Sequence, residues 1–118
     1  MNSPLTTSTP ISERRSGVRK LVRLSALVEM EGLAPLSVRT VELSPGGAAL
    51  SSPLNLKPGG RCLVRIALPA QPPQPMLAVR ASVVYSVLSQ RDDGFRVGIQ
   101  FQSLGKAEEA RLQAFFKA

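Results

Sequence analysis

From Lys20 to Phe101 the chain consists of short runs in which apolar and polar residues alternate, separated by turns that carry glycine or proline. A period of two is what a half-buried strand requires, because successive side chains leave opposite faces of an extended backbone. In the first run, Lys20 to Met30, the residues Val22, Leu24, Ala26, Val28 and Met30 share one face, and Leu21, Arg23, Ser25, Leu27 and Glu29 share the other. A turn at Glu31-Gly32 leads to a second run, about Leu36 to Leu43, and Ser44-Pro45-Gly46-Gly47 turns the chain into Ala48 to Ser51. Further runs span Arg61 to Leu68, Met76 to Leu88 and Phe95 to Phe101, the last two joined through the hairpin signal Asp92-Asp93-Gly94. Pro69 to Pro75 holds four prolines and reads as an extended surface loop. Only Lys106 to Lys117 has helical spacing, with Ser103 as a candidate cap, Glu108 and Glu109 early, and an apolar stripe of Leu112, Phe115 and Phe116. The expected fold is mainly all-β: a small six-stranded antiparallel β-barrel, plugged or flanked by a C-terminal α-helix.

At 118 residues the chain suffices for one domain and is too short for two ordinary ones. With 43% hydrophobic residues but no Trp, one Tyr and four Phe, its core must be built mainly from Val, Leu, Ile and Ala. No run of apolar residues reaches membrane-spanning length, so no membrane insertion is expected. Residues 1–12 are rich in Ser, Thr and Pro and lack the basic and apolar regions of a secretory signal. They are expected to form a flexible tail ahead of a domain over residues 13–118. One cysteine, Cys62, permits no intrachain disulfide, and a cytoplasmic location is the simplest expectation.

Catalysis finds few groups to work with. Without a histidine there is neither a Ser-His-Asp triad nor a histidine-bound metal, and a lone cysteine makes no thiolate cluster. Asp92 and Asp93 suit a turn, Glu108 and Glu109 a helix start, and Cys62 a strand interior. The chain is therefore expected to be no enzyme and to hold no metal and no cofactor. Its formal charge of +7 points instead to an anionic partner. Residues 13–23 carry Arg14, Arg15, Arg19, Lys20 and Arg23 against Glu13 alone, which places +4 of the +7 in eleven residues. Such runs are commonly solvated faces. An oligonucleotide-binding barrel would add aromatic platforms, but the strands offer only Tyr85, Phe95 and Phe101, so no DNA or RNA is expected.

Two segments are more specific than the charge. Arg15-Ser16-Gly17-Val18-Arg19, preceded by Arg14, sets two permanently charged planar forks with three residues between them just before a strand. Glu42-Leu43-Ser44-Pro45-Gly46-Gly47 offers a carboxylate, a hydroxyl and a glycine turn that lets backbone approach a ligand. On a regular strand Glu42 and Ser44 point to the same face. Together the segments resemble the signature of the PilZ domain, Arg-x-x-x-Arg followed by Asp/Asn-x-Ser-x-x-Gly. Arg15, Arg19, Ser44 and Gly47 match it, while Glu42 stands where the family usually has Asp or Asn. The resemblance covers about Glu13 to Ala118 and includes the run Gly94 to Phe101 followed by a helix.

The resemblance implies binding of the bacterial second messenger cyclic di-GMP by a stand-alone receptor that signals to an effector protein of motility, pili or exopolysaccharide. On that reading Arg15 and Arg19 grip phosphate and the guanine O6/N7 edge. Glu42 would accept from guanine N1–H and N2–H, and Ser44 and Gly47 would shape the turn. Family members with an arginine immediately before the first motif arginine tend to take a stacked pair of ligands, so Arg14 implies two molecules per chain. The alternative is a degenerate protein-interaction adaptor of the same fold with weak or no cyclic di-GMP binding, which Glu42 favours and the arginines oppose.

Overall fold

In a computed structural model, which describes residues 19–117, the alternating runs form β1 (Lys20–Leu21), β2 (Ser25–Glu29), β3 (Leu36–Ser44), β4 (Gly47–Ser52), β5 (Arg61–Ile66), β6 (Leu77–Ser89) and β7 (Gly94–Phe101), followed by helix α1 (Lys106–Lys117). All strand pairs are antiparallel. Their order is β1-β3-β2-β5-β6-β7-β4, and β4 also pairs with β3. That last pairing closes β2 to β7 into a six-stranded barrel and leaves β1 as an extra strand. Since β4 takes one edge of β3 over Arg39 to Ser44, β1 must lie on the other, beyond β2.

The alternation predicts the interior well. Ala26 and Val28 of β2, Cys62, Val64 and Ile66 of β5, and Leu77, Val79, Ala81 and Val83 of β6 are all buried. Leu43, Leu50, Val97, Ile99 and Phe101 complete the barrel core, and Leu56, from the β4–β5 loop, joins it. Burial pushes the Cys62 thiol above its ordinary pKa, which keeps it an unreactive packing residue. Leu112 of α1 is 2% exposed, with Phe115 and Phe116 packed beside it edge to face at 5.5 Å. The helix thus covers the barrel with the stripe expected of it.

Two expectations need correction. The run Lys20 to Met30 is not one strand but β1 and β2, interrupted at residues 22–24. The helix cap falls on Gly105 rather than Ser103: the Gly105 carbonyl accepts from Glu109 N at 2.9 Å, and the Glu108 carboxylate folds back where a Gly105 side chain would stand.

The β6–β7 hairpin is locked by Asp92. Its Oδ2 accepts from Arg96 Nε at 2.8 Å, Ser51 Oγ donates to its carbonyl at 3.1 Å, and Asp93 takes the left-handed φ of 53° that the turn needs. The Asp92 side chain is 1% exposed. Burial by itself raises its pKa, but hydrogen bonds from Arg96 and Ser89 and the charges of Arg96 and Arg23 together hold the carboxyl below its ordinary value. A depressed carboxylate contributes stability above its unfolded pKa and loses it as pH falls through the folded one. Stability is therefore expected to decline below about pH 4, and Asp92→Asn should flatten that decline while lowering the plateau at neutral pH. Urea midpoints measured across the acid range for both proteins check this.

Candidate functional site

Regular alternation along β3 would put Val38, Thr40, Glu42 and Ser44 on one face, and Val38 and Thr40 are in the core. A carboxylate at the third of these positions would then be buried. The register between β3 and β4 shifts between Thr40 and Glu42, so that one extra residue, Val41, enters β3. Leu43, fully buried, takes the next inward position, and Glu42 turns to the outer face. The bulge is therefore what places Glu42 on the outer face.

Beyond it, Ser44 pairs with Gly47 across the two-residue turn Pro45-Gly46. Ser44 is 5% exposed, and its Oγ donates to the Gly47 carbonyl at 3.3 Å. Gly47 faces Gln100 of β7, and a Cβ built on it would overlap the Ile99 carbonyl oxygen. The Gly46 carbonyl accepts from Phe101 N at 2.9 Å, fastening the turn to the end of β7. Ser44 and Gly47 thus hold the turn's shape and its close seat on the barrel.

The first motif reaches this wall through β1. Arg19 Nη1 lies 3.0 Å from Glu42 Oε2, with the two side chains 50% and 28% exposed. What directs the approach is Thr40, whose buried hydroxyl donates to the Val22 carbonyl and accepts from Leu24 N at 2.8 Å. Thr40 N also donates to the Leu24 carbonyl at 2.9 Å. The interruption between β1 and β2 is thereby pinned to the core. Lys20 ties β1 to the helix: its Nζ donates to the Phe115 carbonyl at 3.0 Å and lies 4.7 Å from the Phe115 ring centroid.

Removing the Thr40 hydroxyl should therefore move the arm as well as the core. Thr40→Val leaves the partly buried Leu24 N–H without its acceptor, a loss expected to be about 1–3 kcal/mol of stability. Amide shifts in chemical-shift maps should concentrate at residues 19–24. An unaltered melting midpoint would show that the hydroxyl is dispensable.

Of the residues singled out from sequence, the structure brings together Arg19, Glu42, Ser44 and Gly47. Arg14 and Arg15, the tail over residues 1–12, and Gly17 between the motif arginines lie outside the described residues. Thr40 and Lys20 were missed as positioning residues. Thr40 had a signal, since a hydroxyl at an inward position of an alternating run demands a buried partner. Arg39 is exposed three residues before Glu42 and borders a shallow recess shared by Ser25, Leu27, Ser37, Ser51 and Met76. Among the described residues no group of acidic residues and cysteine could hold a metal ion, and no helix is long and apolar enough to cross a membrane.

A family model described as "PilZ domain" matches residues 13–118. Three solved structures are similar to this chain. The Bacillus subtilis inhibitor of motility, MotI/DgrA, superposes with a TM-score of 0.71 at 16% identity over 85% of this chain and 47% of its own. This chain thus spans about half the length of that protein. The PilZ domain of CeSA from a cellulose-synthesizing bacterium gives 0.62 at 19% identity, covering 84% of this chain and 94% of that one. The PilZ domain of YcgR from Escherichia coli, solved with c-di-GMP, gives 0.59 at 16% identity, covering 80% and 79%. No curated protein matches the sequence.

Proposed function

The chain belongs to the PilZ domain family, and from that premise we propose that it is a cyclic di-GMP receptor, a binding adaptor and not an enzyme, acting in the bacterial cytoplasm. The observation that carries this reading is the Arg19–Glu42 ion pair: two segments that are separate in sequence meet on the outer face of the barrel, within reach of one ligand. In the receptor Arg15 and Arg19 clamp phosphate and the guanine O6/N7 edge. Glu42 accepts from guanine N1–H and N2–H, while Ser44 and Gly47 keep the wall at its height. Arg14 supplies charge and a flat face for a second ligand.

Binding requires Arg19 to exchange Glu42 for the nucleotide. The exchange is inexpensive, because a half-exposed ion pair contributes only about 0–1 kcal/mol, less than charge-assisted contacts to phosphate. Moving Arg19 also moves β1, whose next residue, Lys20, holds the last turn of α1. The ligand-dependent surface offered to an effector of motility, pili or exopolysaccharide is then the arm together with that turn. Calorimetric titration with cyclic di-GMP tests the proposal. The absence of heat and of chemical-shift change at high micromolar ligand would sink it.

The second reading, an adaptor of the same fold that has lost the nucleotide, draws on the same ion pair, because Glu42 occupies the very arginine that the ligand needs. Glu42→Asp separates the two. A receptor adapted to Glu42 should change affinity by less than about tenfold, or about 1.4 kcal/mol, whereas a site impaired by the longer side chain should gain far more.

A further inference from the structure

Seven large hydrophobic side chains are exposed among the described residues, and four of them fall within five consecutive positions of β6: Val84 at 55%, Tyr85 at 40%, Val87 at 51% and Leu88 at 76%. This stretch lies beyond the reach of β5, whose ladder with β6 ends at Arg61 and Ser82. Gly59 and Gly60 continue the pairing to Val83. After that no strand of the described residues pairs with this side of β6, where Leu56 N donates to Ser86 Oγ at 3.2 Å, while β7 accompanies the other side to Ser89. A register shift between Val83 and Tyr85 redirects the strand here. The Tyr85 ring occupies the space where Gly98 lacks a Cβ, so it is held flat against β7 and is ordered before any partner arrives.

Charge decides what can cover such a surface. From Ala81 to Gln90 no residue is ionisable to a charge at neutral pH, although the chain as a whole carries +7. Nor does this stretch hold the lysine or proline that commonly blunts an exposed strand edge. We infer that it is the contact by which two copies of the chain associate, β6 against β6 across a two-fold axis. An antiparallel strand edge is complementary to itself under that symmetry. A charge-free stretch is also where two cationic chains approach with least repulsion, whereas an acidic partner is drawn to the basic arm instead. The stretch pairs with Gly94 to Gly98 of β7, whereas Gly47 pairs with Gln100 at the other end of that strand. Association therefore leaves both copies of the arginine-bearing wall open, and it is independent of whether the wall binds nucleotide.

Sedimentation equilibrium of the full chain, from low micromolar to several hundred micromolar, tests the inference. A dimer should appear and should tighten as salt is raised, because salt screens the repulsion between the two chains without weakening apolar contact. Val87→Lys combined with Leu88→Lys should raise the dimer dissociation constant at least about tenfold, with an unchanged circular dichroism spectrum and unchanged nucleotide affinity. Should that pair disturb folding, Val87→Cys provides the second readout, as a disulfide-linked dimer under mild oxidation that forms poorly for Cys placed at exposed Gln113. A single-chain mass at the highest concentration would overturn the inference, as would a dimer that tolerates both lysines. A wild-type monomer that dimerises only after removal of residues 1–18 would overturn it too, because the patch would then be covered by the chain's own N-terminal segment.

Discussion

Replacing Arg19 by alanine is expected to weaken cyclic di-GMP binding by about 2–5 kcal/mol, the range for truncating one member of a desolvated charged contact. At the lower end that is roughly a 30-fold loss, and at the upper end several thousandfold. Arg15→Ala is expected to fall in the same range. The fold should persist, since Arg19 is half exposed and its ion pair with the less exposed Glu42 lies on the outer face of the barrel rather than in the core. The two losses would differ greatly in size: the Arg19–Glu42 pair contributes about 0–1 kcal/mol to stability, while the proposed ligand contact would contribute several times more to binding. Calorimetry and a urea melt on the same sample separate them. Parent-like affinity in either alanine variant would remove that arginine from the site, and a variant unfolded at room temperature would make its role structural.

Gly47→Ala should do the opposite, lowering stability first. The methyl group would overlap the Ile99 carbonyl, which is backbone of a central strand and cannot rotate away as a side chain can. Relief requires β4 to separate from β7 at the Gly47–Gln100 pair, close to the Gly46–Phe101 hydrogen bond that anchors the turn. A loss of about 1–3 kcal/mol is expected, the usual range for forcing an extra carbon into a packed site. Ligand affinity should then fall because the wall has moved, with hydrogen exchange rising at residues 44–48 in the free protein. Gly46→Ala is the control, for no atom lies within 4 Å of the position its Cβ would take. Equal stability of the two variants would show that Gly47 matters to the ligand rather than to the barrel.

Much of this was legible from residue order. Alternation picked out the buried faces of β2, β5 and β6, because each strand meets the core along one face and the pleat then dictates every second residue. The apolar stripe of α1 and its limits at Lys106 and Lys117 followed from spacing in the same way. The turn of the second motif was marked by its glycines, since such turns keep their local geometry whatever surrounds them, while of the first motif only Arg19 lies within the described residues. The Ser103 cap failed because Gly105, with Glu108 folding back over it, competes for the same role, and only the path of the chain out of β7 chooses between them.

What tertiary structure alone decided lies between strands. Nothing in Thr40-Val41-Glu42-Leu43 announces an extra residue, since the bulge exists only relative to β4 and appears as a shift in register between the two. Yet that shift sends Leu43 inward and Glu42 outward. In the same way Val22 and Leu24 keep the alternation of a continuous strand, and the break between β1 and β2 arises because a hydroxyl on a neighbouring strand takes up their backbone groups. Periodicity reports which face of a strand is buried, and so the sequence determined most of the strands, their inward residues and the helix. Pairing reports how strands are aligned with one another, and it rests on contacts between residues distant in the chain, so the closure of the barrel and the meeting of Arg19 with Glu42 were decided only in three dimensions.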